Sequence, residues 1–156
     1  MRRKLGVLVF LAVVLMMYLY PLSIVPLLLL AREWEEFREE WRKSTLFIGL
    51  SLPLYGAKVV LGLSGWTKTL GITPVQAGPA VEWAVLLAFT ALQTVAVYYV
   101  YRVAAGLRLP YTRTGGMIMV IAVPLHLISI MVYFILTWTG LILFLLGLES
   151  GKEVIG

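Results

Sequence analysis

The sequence predicts an all-α integral membrane helical bundle of four transmembrane helices, with an amphipathic helix after the first. Three observations predict it. Apolar residues make up 61% of the 156 positions, and the mean hydropathy is +0.94, where an ordinary soluble domain is about half apolar. Charge is confined to short connections between long uncharged runs. Those runs are of the order of the ~20 residues a helix needs to cross a hydrocarbon core of ~30 Å. The length suits one compact unit, a single membrane domain over residues 1–156.

The first run spans residues 5–31 and follows a basic MRRK start. Its length of about 27 residues exceeds the ~7–15 of a signal h-region, and it lacks a small-x-small cleavage pattern. It is therefore read as a retained helix, about 40 Å long and able to cross with tilt. Pro21 and Pro26 predict a kink in its second half. Residues 32–43 read REWEEFREEWRK, with Trp34, Phe37 and Trp41 on one helical face. Glu35 with Arg38, and Glu39 with Arg42 or Lys43, can pair on the others. This is the pattern of an amphipathic helix at the membrane surface.

The second span covers residues 46–63, with Gly49, Pro53, Gly56 and Gly62 inside it and Lys58 as its one charge. A Gly- and Pro-rich connection follows, in which Trp66 suits an interfacial anchor. The third span covers residues 81–101. Ala80, Ala84 and Ala88 repeat every four residues there, a small-residue seam that admits another helix closely. Tyr98, Tyr99, Tyr101 and Arg102 close it as an interfacial belt. A basic loop with Gly115 and Gly116 leads to the fourth span, residues 117–138, with an apolar extension to residue 148. One straight helix over that stretch would measure about 48 Å, well beyond the core. Either it protrudes, or it breaks near Thr139 and Gly140. Trp83 and Trp138 fall where interface anchors belong.

Net charge is +5 and the pI about 9.6. The basic residues are scattered among the polar connections, which fits contact with anionic headgroups and argues against nucleic acid. With four spans, Arg32, Arg38, Arg42, Lys43, Arg102, Arg108 and Arg113 lie on one side, and Arg2, Arg3, Lys4, Lys68 and Lys152 on the other. The first set is larger, which places both termini outside, although the basic N-terminus argues for the reverse.

Cysteine is absent, which excludes disulfides, thiolate metal sites and cysteine nucleophiles. Asn and Asp are absent too, all the acids are Glu, and Gln occurs only at Gln76 and Gln93. That depletion matches the trend of hyperthermophile proteins. The acidic cluster Glu35, Glu36, Glu39 and Glu40 lacks the Glu-x-x-His pairing of di-iron bundles and reads as a solvated face, so no metal is expected.

Three polar residues fall within spans. His126, two residues after Pro124, is the candidate for cofactor binding: it could ligate haem iron, accept a proton from a quinol or relay protons. A single histidine cannot supply both axial ligands of a b-type haem, so haem or quinone is expected only with a partner chain. Hydrogen bonding to a neighbouring helix is the simpler role. Lys58 can snorkel to the interface or await an anion, and Gln93 can bond between helices; both are candidates for a substrate or ion path. Nucleotide-binding and hydrolase motifs are absent, and no catalytic residue is identified. The expectation is a non-catalytic accessory subunit of a multi-subunit membrane complex, plausibly respiratory or energy-converting, in the plasma membrane of a thermophilic prokaryote. Its partners are the bilayer and other membrane subunits, as a hetero- or homo-oligomer. A homo-oligomeric channel or carrier is the alternative, and an electron-transfer subunit using His126 the third.

Overall fold

A computed structural model describes the backbone of residues 2–155 and the side chains of residues 3–150. The described residues are helical, without strands. Seven helices follow in order: α1 (Arg2–Tyr18), α2 (Ile24–Glu33), α3 (Arg38–Val60), the short α4 (Gly65–Thr69), α5 (Pro79–Gly106), α6 (Pro110–Leu125) and α7 (Ile130–Ile155). Two of them, α5 and residues Ile130–Ser150 of α7, are long and apolar enough to cross a membrane.

The first apolar stretch is two antiparallel helices, not one kinked helix. The chain reverses after Tyr18, and Lys4 near the start of α1 lies beside Glu33 at the end of α2, Nζ to Oε2 3.6 Å. The prolines explain the reversal. Pro21 disfavours helical backbone in the residue before it, so α1 ends at Tyr18 and Tyr20–Ser23 forms a single tight turn. Pro26 falls in the first turn of α2, where its missing N–H interrupts no helical bond. Tyr20 and Ser51 hydroxyls, 2.6 Å apart, tie this turn to α3.

Residues 32–43 do not form a separate amphipathic helix. They make the corner between α2 and α3: α2 stops at Glu33, a tight turn covers Glu35–Phe37, and α3 begins at Arg38. The aromatic face expected at the membrane surface turns inward. Trp34, Phe37 and Trp41 are all buried, Trp41 only 1% exposed, and the Trp34 ring lies 5.7 Å from Phe37 and 5.9 Å from Trp41. Helix α5 closes over this plug where Gly106 leaves room for the Phe37 ring. The charged residues form the rim, with Arg38 paired to Glu35 at 3.5 Å and Arg42 to Glu39 at 3.4 Å. Lys43 instead sits over the Tyr99 ring, 5.6 Å from its centroid.

Helices α3 and α5 form a second antiparallel pair. Ser44 Oγ donates to the Ala96 carbonyl at 2.9 Å, while near the other end Lys58 Nζ lies 4.2 Å from the Phe89 centroid. The packed face of α5 is Phe89, Gln93, Ala96, Val97, Val100, Val103 and Ala104. Ala80, Ala84 and Ala88 are exposed, so the alanine seam packs against no helix within the described residues.

The last apolar stretch also folds back on itself. It breaks at His126–Ser129, not near Thr139 and Gly140, and α6 begins at Pro110, ahead of the expected start. Beyond Pro124 the backbone tightens into successive short bonds from His126 N, Leu127 N and Ile128 N to carbonyls three residues back. Gly115 and Gly116, read as loop, lie inside α6. They let α6 approach both neighbours: a Cβ on Gly140 would stand 2.6 Å from the Gly115 carbonyl, and one on Gly116 3.1 Å from Ala104 Cβ. Thr112 Oγ1 donates to the Phe144 carbonyl across the same seam at 3.1 Å.

Three antiparallel pairs therefore stand side by side, and the charges sort by end. Arg3, Lys4, Arg32, Arg38, Arg42, Lys43, Arg102, Arg108 and Arg113 all fall at the end that holds the start of α1 and the α2–α3 and α5–α6 corners. A surface groove there is lined jointly by Leu5, Arg32, Trp34, Leu107 and Leu148. Among described side chains, only Lys58 and Lys68 carry positive charge toward the other end. Of the two basic sets assigned by sequence to opposite sides, Arg3 and Lys4 thus fall with the larger set while Lys68 stays at the other end; Arg2 and Lys152 lie outside the described side chains.

Candidate functional site

The end away from the basic rim is built from aromatic residues and short connections. Tyr18 ends α1, and Tyr20 occupies the turn to α2. Trp66 begins α4, where Ser64 Oγ accepts from its backbone N–H at 3.3 Å. The Trp66 indole donates to the Tyr18 carbonyl at 3.0 Å, and the Trp138 indole donates to the Tyr18 hydroxyl at 3.2 Å. These two tryptophans pin α1 against α4 and α7. Trp83, 54% exposed, stands free on α5.

Beneath them lies an open groove with a volume of about 770 Å³, bordered by α1, α3, α4, α5 and the α6–α7 reversal. Its volume falls within the range of roughly 300–1,000 Å³ typical of small-molecule sites. Lys58, Gln93 and His126 all line it. The three polar positions singled out separately in the sequence, one on each of three apolar segments, thus meet in one place. Lys58 arrives from the last turns of α3, Gln93 from the middle of α5, and His126 from the residue that ends α6.

The walls around them are aromatic. Tyr20 stacks on Tyr55 at 5.2 Å between centroids and meets the edge of Phe89 at 4.9 Å. Tyr133 lies 5.6 Å from the His126 ring, and its hydroxyl accepts from Gln93 Nε2 at 3.3 Å. Gln93 is therefore already bonded between helices, with its carbonyl oxygen left over. Lys58 has no carboxylate within ion-pair distance among the described residues; its nearest charge-stabilising neighbour is the Phe89 ring face.

His126 is held in one orientation. Its Nδ1 lies against the Val123 carbonyl, which can only accept, so Nδ1 carries the proton. The other nitrogen, Nε2, is buried and has no hydrogen-bond partner. A neutral ring in this tautomer presents Nε2 as an acceptor. Chemically the site offers three donors on one ammonium and an aromatic lining, with the unmet histidine acceptor buried behind its surface. Among the described residues no group of three or more His, Cys, Asp or Glu is placed to hold a metal ion. Haem iron would find one nitrogen here and no second.

Tyr20, Tyr55 and Tyr133 were not singled out by sequence. For Tyr133 a signal existed: His126, Ser129, Tyr133, Thr137 and Gly140 recur at intervals of three and four, a polar stripe through the last apolar stretch. Compared with protein-family models, with curated proteins and with solved structures, the chain matches none.

Proposed function

We propose that this chain is a polytopic protein of a prokaryotic plasma membrane that binds an amphipathic small molecule in the cavity at its outer end. The membrane reading is supported by the outward faces. Val7, Leu11, Leu28, Leu50, Leu87, Ile121, Ile135 and Ile142, spread over six helices, are each more than 40% exposed. A soluble monomer rarely shows contiguous apolar patches beyond a few hundred Å², and here apolar side chains face outward all around. Six segments, α1, α2, α3, α5, α6 and α7, would lie in lipid as three hairpins. The basic rim supports placing that end and both termini in the cytoplasm, since Lys and Arg accumulate on the cytoplasmic side.

The single observation that carries the binding reading is the convergence of Lys58, Gln93 and His126 in one aromatic cavity. Polar groups inside a membrane are costly, and three of them sharing a cavity have a common use. No catalytic constellation accompanies them, so the role is binding or carriage.

Two experiments test this. Because the chain has no cysteine, single thiols are reporters. Lys68→Cys is expected to react with an impermeant maleimide on intact cells, and Arg113→Cys only after permeabilisation; the reverse pattern overturns the orientation. Short-chain amphiphiles titrated into the purified protein are expected to change tryptophan fluorescence saturably, with a midpoint that moves in Lys58→Ala. Linear, unsaturable partitioning identical in the variant overturns the cavity as a site.

One observation favours a second reading, that of an accessory subunit within a larger assembly. The stripe Ala80, Ala84 and Ala88 is exposed beside Val81 and Leu87, and small residues in a span admit a neighbouring helix. Blue-native electrophoresis after gentle solubilisation is expected to show a larger species containing other polypeptides. A clean, small species of this chain alone would end that reading.

A further inference from the structure

We propose that the ligand is a long-chain carboxylate of the fatty-acid class, its head paired with Lys58 Nζ and its chain lying along the groove. The inference rests on the binding reading above and narrows it by charge. Lys58 is the single charged residue among those that line the groove. Among the described residues it has neither a carboxylate within ion-pair distance nor a hydrogen-bond partner. Nor is its ammonium sealed in. The described polar atoms that are fully buried without a partner are Trp41 Nε1, Thr90 Oγ1, His126 Nε2 and Thr137 Oγ1, and Lys58 Nζ is not one of them. It lies 4.2 Å from the Phe89 centroid, on the aromatic wall that Phe89 shares with Tyr20 and Tyr55. Depth agrees with charge. Lys58 sits in the last turn of α3, at the end away from the basic rim, where an amphiphile held in the bilayer carries its own head.

The amphiphile classes divide on that one ammonium. A cation or a zwitterion would set a second positive group beside Lys58, where no carboxylate lines the wall. A phosphomonoester carries ≈ −1.5 to −2 charges, more than a single lysine balances. A neutral head leaves the ammonium unpaired in apolar surroundings, which is costly. A phosphodiester lipid matches the charge but brings two chains to one groove. An ionised carboxylate matches it one to one, and its oxygens accept charge-assisted hydrogen bonds from the ammonium. The rest of the wall suits a single flexible chain. Met16, Met17, Leu127 and Phe134 line it, and methionine adapts to an apolar partner of no fixed shape. The chain can leave past Leu19 and Ile130, which border the groove and are exposed on the outward face.

The test uses the purified full chain in a neutral detergent and probes that share one chain length and differ in the head: decanoate, methyl decanoate, decyl phosphate, decyltrimethylammonium and didecanoyl phosphatidylglycerol. Tryptophan fluorescence reads binding, since Trp66 and Trp83 border the groove. Losing a hydrogen bond to a charged group corresponds to a factor of about ten or more in affinity. Decanoate is expected to bind at least about tenfold more tightly than its methyl ester, and more tightly than the other three probes. In Lys58→Met its affinity is expected to fall to that of the ester, whose own binding stays unchanged, while Lys58→Arg keeps the preference. The wild-type probe series decides the matter even if a variant fails to fold. Equal binding of decanoate and its ester, a preference that survives in Lys58→Met, or tighter binding of any other head each overturns the carboxylate assignment while leaving the groove as a site. Absence of saturable binding by every probe overturns the binding reading and this one together.

Discussion

The sharpest test of the architecture is whether Lys4 and Glu33 are neighbours. If residues 5–31 were one continuous helix, these two side chains would stand about 44 Å apart at about 1.5 Å per residue. The hairpin sets their charged atoms at 3.6 Å. The double variant Lys4→Cys, Glu33→Cys reads this difference directly, because the chain has no other thiol. The exchange costs little: the pair is solvent-exposed, with side chains 65% and 36% accessible, and such pairs contribute about 0–1 kcal/mol. A short bismaleimide applied to native membranes is expected to join the two thiols within one chain. Trypsin then cuts after Arg32, between the two positions, and mass spectrometry is expected to find the flanking peptides still linked. A mixture of the two single-cysteine chains controls for links between molecules. Full labelling of both thiols with no linked peptide would refute the hairpin, and with it the gathering of the basic residues at one end.

Three further outcomes follow from the packing. Gly140→Ala drives a Cβ to 2.6 Å from the Gly115 carbonyl, on backbone that cannot step aside, and overpacking of this kind costs about 1–3 kcal/mol. Its thermal midpoint in detergent should fall by several degrees, whereas Gly49→Ala, with nothing within 4 Å, should hold or gain; equal midpoints would contradict the close α6–α7 contact. Trp41→Ala empties a side chain only 1% exposed and should cost about 3–5 kcal/mol, while Trp83→Ala, at 54% exposure, should unfold as wild type does in denaturant titration. Arg108→Gly relieves the one positive φ outside glycine among the described residues, +57°, and should stabilise the α5–α6 corner by about 1 kcal/mol, seen as slower local hydrogen exchange.

Composition and hydropathy reach the all-helical class and the long apolar helix α5, because both follow from how many apolar residues run together. What they miss is where a run turns back. Residues 5–31 and 117–148 carry no formal charge, so no charged connection marks the reversals at Leu19–Ser23 and His126–Ser129. The marks present are prolines, and a proline has two readings. Inside a helix it kinks; in the first turn of the next helix it merely permits a new start. Pro21 and Pro26, in an uncharged run, suggest the first and act the second. Length held the better clue for the last stretch, since about 48 Å of helix is too long for one crossing and close to two short ones. The glycines spoke to the same point. Gly115 and Gly140 read as breakers one at a time, yet together with Gly147 they are what allows two helices joined by a tight turn to lie in contact.

The site followed from those reversals. Taken singly, Lys58 is a snorkelling lysine, Gln93 an interhelical bond and His126 a satisfied histidine, and each of those readings is sound for a residue alone in its span. Gln93 does make the interhelical bond expected of it, to Tyr133. The other two stay unmet: Lys58 faces a ring instead of a carboxylate, and His126 has a buried nitrogen with nothing to receive. Folding could have removed both costs by substitution with apolar residues, since leaving a buried polar atom unpaired costs about 1–3 kcal/mol. For His126 that cost is borne where α6 ends, with the nitrogen shut away from the groove surface. An ammonium held on an aromatic wall with no carboxylate beside it among the described residues is better explained by a ligand that pairs it than by the needs of the fold.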